Sequence, residues 1–247
     1  MSKPRLLRAA SPILATLTML FVAACAPAAG NDSTARPTPA PRVDAPLAAH
    51  TGTAKAVLAG GCFWGLQWVF EHVPGVLNVT SGYSGGSKAT ANYARVGEGD
   101  TGHAETVEIT YDPSKVSYGQ LLRVYFTAAT NPTESNRQGP DTGSQYRGVI
   151  FYANPQQQKI ARAYIAQLAA AHVYARPIVT QVVPFKAFYP AEDYHQDYAR
   201  LHPDALYIAI NDAPKVVALQ RKLPKLYRAR PVIWHDLDPT TIMVDVH

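Results

Sequence analysis

The sequence predicts an α+β domain, with helices packed on a mixed, mainly antiparallel sheet. Three observations point to it. Short runs with strand alternation and longer runs with helical spacing follow one another without a regular βαβ repeat. No Rossmann or Walker glycine pattern occurs. The 247 residues, 47% hydrophobic and 17% charged, supply one substantial core and little beyond it.

The chain opens with an address. Residues 1–24 begin with Lys3, Arg5 and Arg8, run apolar from Ile13 to Ala24 and end in small residues, as a secretory leader does. The run is too short for a spanning helix. Removing those three charges from the formal +5 leaves +2. With no basic stripe interleaved with aromatics, a nucleic-acid partner is set aside. Val22-Ala23-Ala24-Cys25 resembles a bacterial lipobox, which implies cleavage before Cys25, lipidation of that residue and a membrane anchor facing the periplasm. Ala26 in the next position favours the outer membrane if the host is Gram-negative. Ordinary signal cleavage nearby is the other reading. Residues 25–52 are rich in Ala, Pro and Thr without apolar periodicity, so they are expected to form a disordered linker.

Ala54–Ala59 reads as a strand, Gly60-Gly61 as a turn, and Phe63, Leu66, Phe70 and Val73 as a helix ended by Pro74-Gly75. This puts Cys62 on a first helical turn, where free N–H groups and the dipole favour a thiolate. On spacing alone, a reactive cysteine and a buried structural one stand equal. Gly82–Gly86 is a loop with Tyr93 downstream. In the strand Glu105–Tyr111, Glu105 shares parity with Val107, Ile109 and Tyr111 and so points at the core, where desolvation raises a carboxyl's pKa. A strand-end Glu reaching water is the alternative. Ser117 caps a helix carrying Leu121, Leu122, Tyr125 and Phe126. A polar loop, Asn131–Tyr146, leads to a strand at Val149–Tyr152. Asn154-Pro155 opens a long helix, Ile178–Val183 is a strand, and Glu192–Leu201 a short helix.

Gly61-Cys62-Phe63-Trp64-Gly65 resembles the signature of the A-type peptide-methionine (S)-S-oxide reductases. Gly82–Gly86, Gly99–Glu105, Asn136–Gly139 with Asp141, Gln145–Arg147 and Ala191–Tyr198 agree with the same family in order, over roughly residues 54–227. The resemblance implies a catalytic domain at 53–227, a ferredoxin-like two-layer sandwich, and reduction of S-methionine sulfoxide, free or in oxidised proteins. Cys62 would be the nucleophile, Glu105 the acid, Tyr93 and Tyr146 hydrogen-bond donors to the oxygen, and Asp141 an organiser of the site. Phe63 and Trp64 would hold the substrate methyl. No bound cofactor is implied, and no paired ligand spacing points to a metal. His103 and His195 are expected to act as scaffold or surface residues.

The chain departs from the family in two places. Many relatives carry resolving cysteines near the C-terminus, and here none follows Cys62. An external thiol, either small or thioredoxin- or glutaredoxin-like, is therefore expected to recycle the sulfenic acid. Gln67 replaces a common Glu, removing a charge near the site. Residues 228–247 read as a packed tail, and the protein as a monomer. The competing functions are a cysteine hydrolase or acyltransferase, and a non-catalytic envelope lipoprotein.

Overall fold

The structure, a computed structural model, describes residues 36–235. The leader, Cys25, the first part of the expected linker and the last twelve residues of the tail lie outside them. Along the chain come β1 (Ala54–Ala59), α1 (Phe63–Glu71), β2 (Val76–Ser84), α2 (Tyr93–Gly97), β3 (Ala104–Tyr111), α3 (Tyr118–Val124), β4 (Arg137–Gln138), β5 (Asp141–Thr142), β6 (Val149–Tyr152), α4 (Pro155–Ala170), β7 (Gln181–Pro184), β8 (Phe188–Pro190), α5 (Tyr198–Leu201) and α6 (Ala213–Lys222).

Six strands form one mixed sheet in the order β7-β6-β1-β3-β2-β8. Among the described residues β6 and β7 alone pair in parallel, and the other pairings of this sheet are antiparallel. Period-two alternation sorts the faces. Leu58 and Ile109 turn inward under Phe63, Leu66 and Phe70 of α1 and Leu121 and Leu122 of α3. On the opposite face Val57, Ala59, Val149 and Phe151 pack against Phe185 of the β7–β8 connection and Phe188 of β8. Both faces are therefore covered, and full burial of a Leu or Phe contributes roughly 1.5–3 kcal/mol. The parity read for β3 holds: Glu105 is 3% exposed, and Glu108 on the other face bonds Lys55 at 2.7 Å.

The predicted caps form as well. Ser117 accepts from Gln120 N in a full capping box, and Asn154 accepts from Gln157 N ahead of Pro155. The expected helix over Glu192–Leu201 is instead a 3-10 turn at Asp193–His195 and the single turn α5. It breaks because the Gln196 side chain bonds Ser81 N and O like a strand neighbour, and Asp197 follows at φ 55°. The Ile178–Val183 strand pairs only from Gln181.

The larger correction concerns residues 36–52, expected to hang free. Thr38 is buried, its hydroxyl 2.6 Å from that of Thr127 and 2.9 Å from that of Tyr164. Arg123 donates to its carbonyl. Asp44 accepts from Gly119 N at 2.8 Å and from the Ser117 hydroxyl, so it completes the α3 cap. Composition missed this because the segment docks by polar groups rather than by apolar area. Four prolines (Pro37, Pro39, Pro41 and Pro46) also pre-set its backbone, so less entropy is lost on docking. At the other end, Arg228 N donates to His72 O, Val232 N to Glu71 O and Trp234 N to Asp197 Oδ1, which ties the first part of the tail onto α1 and α5.

Candidate active site

Cys62 is the N-cap of α1, with φ −54° and ψ 125°, and is 7% exposed. Gly61 before it has φ +104°, and a Cβ there would lie 2.7 Å from Gln138 Cγ. Only glycine lets β1 turn into α1 beneath the loop that carries Asp141 and Tyr146. The sheet register then delivers Glu105, at the start of β3, under the first turn of α1. Its Oε2 accepts the Phe63 N–H at 3.0 Å.

A cavity of about 190 Å³ is bounded by all seven side chains singled out in the sequence, Cys62, Phe63, Trp64, Tyr93, Glu105, Asp141 and Tyr146, and by Tyr207. Burial pushes the Glu105 carboxyl up to about 8, against the Phe63 N–H and helped by Asp141 and Asp212. At pH 7 it is therefore largely protonated. Burial also pushes the Cys62 thiol well up, with Glu105 and Asp212 adding to it, while Lys215 and the Trp64 N–H oppose it. This corrects the expected easy thiolate: desolvation outweighs the helix terminus. Burial likewise raises the Tyr93 and Tyr146 phenols, so both remain hydrogen-bond donors.

The remaining geometry positions these groups. Tyr93 opens α2, and its N–H donates to Glu192 Oε1 at 3.0 Å. Glu192 Oε2 accepts from the Tyr83 hydroxyl at 3.0 Å. The Trp64 indole stacks on Tyr198 at 4.0 Å, and its Nε1–H donates to His195 Nδ1 at 3.1 Å. The ring of His195, 2% exposed, lies against Phe63 and Tyr93. Its burial lowers its pKa, so it is a neutral brace. His103 also braces, accepting Gly86 N–H at Nδ1 with Nε2 2.9 Å from Ser87 O. Among the described residues no histidine is hydrogen-bonded to Cys62, and the acids that line its cavity are the Glu105 and Asp141 carboxyls. That arrangement suits protonation of an oxygen better than activation of a hydrolytic nucleophile.

Sequence reasoning missed three residues. Tyr207 donates to Asp141 Oδ2 at 2.5 Å and closes the cavity. Asp212 and Lys215 form a buried ion pair beside α1, with Nζ 2.9 Å from Oδ1. An available signal lay in Asp212-Ala213-Pro214, an acid and a proline at a helix start followed by Val216 and Leu219. Gln67 proves remote from the cavity. Its buried amide donates to Val79 O and accepts from Ser81 Oγ and Asp197 N, so it serves the scaffold.

Comparison with known proteins identifies the family. The family model described as peptide methionine sulfoxide reductase matches residues 54–226. A peptide methionine sulfoxide reductase MsrA 2 of Mesorhizobium japonicum is 57% identical over 185 residues, 75% of this chain and 95% of that one. A peptide methionine sulfoxide reductase MsrA of Halobacterium salinarum is 46% identical over 67% of this chain and 93% of its own length. Among solved structures, methionine sulfoxide reductase A of Corynebacterium diphtheriae is 36% identical with a TM-score of 0.54, covering 63% of this chain and 77% of that one. Mxr1 from Saccharomyces cerevisiae in reduced form is 28% identical at 0.55, covering 67% and 98%. The chain belongs to the peptide methionine sulfoxide reductase family and is an oxidoreductase that reduces methionine sulfoxide to methionine.

Proposed function

We propose that Cys62 is the nucleophile and Glu105 the general acid of this reduction, with the S-epimer as substrate, free or in oxidised proteins. The observation that carries the reading is a buried carboxyl, neutral at pH 7, that lines the same small cavity as the thiol. A sulfoxide oxygen leaves its sulfur only as it gains a proton, so a neutral acid is the required partner. The Cys62 sulfur attacks as Glu105 protonates the oxygen, with Tyr93 and Tyr146 donating hydrogen bonds to it, and the proton that the thiol gives up restores the Glu105 carboxylic acid. Methionine departs, and the oxygen remains on Cys62 as a sulfenic acid. Asp141, held by Tyr207, positions this group, and Phe63 and Trp64 receive the substrate methyl.

Two molecules of an external thiol then return Cys62–SOH to the thiol, giving their disulfide and water. The chain has no cysteine after Cys62 to do this from within. A thioredoxin- or glutaredoxin-like protein or a small thiol fills the role. The protein acts as a monomer on the periplasmic side of the cell envelope, anchored through lipidated Cys25. The central order β6-β1-β3-β2, with α1 after β1 and α3 after β3, supports a ferredoxin-like reading of the core.

The test supplies separated S- and R-epimers of a blocked methionine sulfoxide with excess dithiothreitol. Turnover of the S-epimer alone, lost in Cys62→Ser, is expected. Without thiol, one equivalent of methionine and a sulfenic acid on Cys62 should appear. Turnover that survives Cys62→Ser, or an intramolecular disulfide in the wild type, overturns the mechanism.

A further inference from the structure

Gly65 stands three residues after Cys62, on the first turn of α1. A methyl group there would lie 2.0 Å from Asp212 Oδ1 and 2.9 Å from Lys215 Nζ. The ion pair thus occupies the place where every other residue type carries its first side-chain carbon. Asp212 is 0% exposed, and its second oxygen, Oδ2, has no partner. The Lys215 side chain is 11% exposed. A buried pair contributes little net stability, because desolvation offsets the mutual attraction. Its position against the nucleophile's own helix turn gives it another use.

The groups facing Cys62 come from several elements: Glu105 from β3, Tyr93 from α2, Asp141 and Tyr146 from the loop, Tyr207, and the Asp212–Lys215 pair at the start of α6. Lys215 is the cation whose field reaches the thiol, and the Asp212 carboxylate beside it acts on the thiol in the opposite direction and more strongly. The field at Glu105 comes from Asp141 and Asp212, the acidic side of the cluster. In the state that reacts, the two groups hold one proton between them. Cys62–SH with Glu105 carboxylate is inert, whereas Cys62 thiolate with Glu105 carboxylic acid is competent.

We propose that the Asp212–Lys215 pair, seated on Gly65, sets this division: Lys215 favours negative charge on the Cys62 sulfur, while Asp212 opposes it there and keeps the proton on Glu105. Both are positioning residues that act through the field rather than by touching substrate. The proposal rests on Cys62 as nucleophile. Its readout, alkylation of Cys62, needs no turnover, so a failure of that reading shows separately as activity in Cys62→Ser.

The experiment follows iodoacetamide modification of the Cys62 peptide by mass in the full chain across pH 6–10, beside the pH profile of kcat/KM. A neighbouring buried charge is worth about one pKa unit, or about ten-fold in thiolate at a fixed pH. Lys215→Met should slow alkylation about ten-fold at pH 8. Asp212→Asn should speed it and move the alkaline limb of kcat/KM to lower pH. The signs are opposite, which a purely structural pair would not produce. If Lys215→Met fails to fold with Asp212 left unpaired, Asp212→Asn and Asp212→Asn/Lys215→Met carry the comparison, and the double variant must react more slowly than the single. Equal rates in that pair, or shifts of the same sign in the two single variants, overturn the proposal.

Discussion

Replacing Glu105 with Gln should raise stability while removing activity. Gln keeps an oxygen for the Phe63 N–H and fills nearly the same volume, but it cannot ionise. Glu105 is 3% exposed, and its carboxyl is raised from 4.5 to about 8. Because the folded value is the higher one, the native state binds more protons than the unfolded chain between pH 4.5 and 8. The stability contribution is whole below pH 4.5, falls as pH rises through 8, and is constant above. At about 1.4 kcal/mol per pH unit the loss reaches roughly 3 kcal/mol at pH 7 and about 5 kcal/mol at pH 9. Urea unfolding of wild type and Glu105→Gln at pH 5, 7 and 9 reads it. The variant should be within about 1 kcal/mol of wild type at pH 5 and more stable by several kcal/mol at pH 9. Loss of a general acid should lower kcat/KM about 10²–10⁴-fold, and the wild-type profile should decline above pH 8. A variant that is less stable at pH 9, or a stability difference independent of pH, would refute the protonated, desolvated acid.

Three further outcomes are expected. Glu71→Gln should stabilise the protein by a few kcal/mol at pH 8 in urea unfolding with activity kept, because burial and the neighbouring Asp197 carboxylate raise Glu71 to about 10 at the far end of α1 from Cys62. Its contribution is likewise lost as pH rises, here from 4.5 towards 10. Tyr207→Phe removes the donor to Asp141 and should lower kcat/KM about ten-fold with the fold intact by circular dichroism. Asp44→Ala should cost about 1–2 kcal/mol, a fall of several degrees in Tm by calorimetry, since Asp44 accepts Gly119 N–H and the Ser117 hydroxyl at the α3 start.

Much of the site was legible because its signals are local. Strand, glycine turn and helix put Cys62 at a helix start, parity alone turned Glu105 inward, and the caps at Ser117 and Asn154 were read correctly. The unread parts depend on partners distant in the chain. Gln196 leaves the helix its sequence suggests because β2 offers it backbone groups at Ser81. Thr38 and Asp44 look like linker residues until α3 and α4 supply their hydrogen-bond partners.

By itself, then, the sequence determined the α+β class, the motif set of a methionine sulfoxide reductase and seven residues that share one cavity. Period-two and period-3.6 patterns fix which way a side chain faces, and short motifs fix local turns. Only the tertiary structure decided the protonation of those residues. Desolvation and the fields of Asp141, Asp212 and Lys215 act through space across elements far apart in sequence. The same separation hid Tyr207, which closes the cavity from the C-terminal third, and the Asp212–Lys215 pair seated against Gly65.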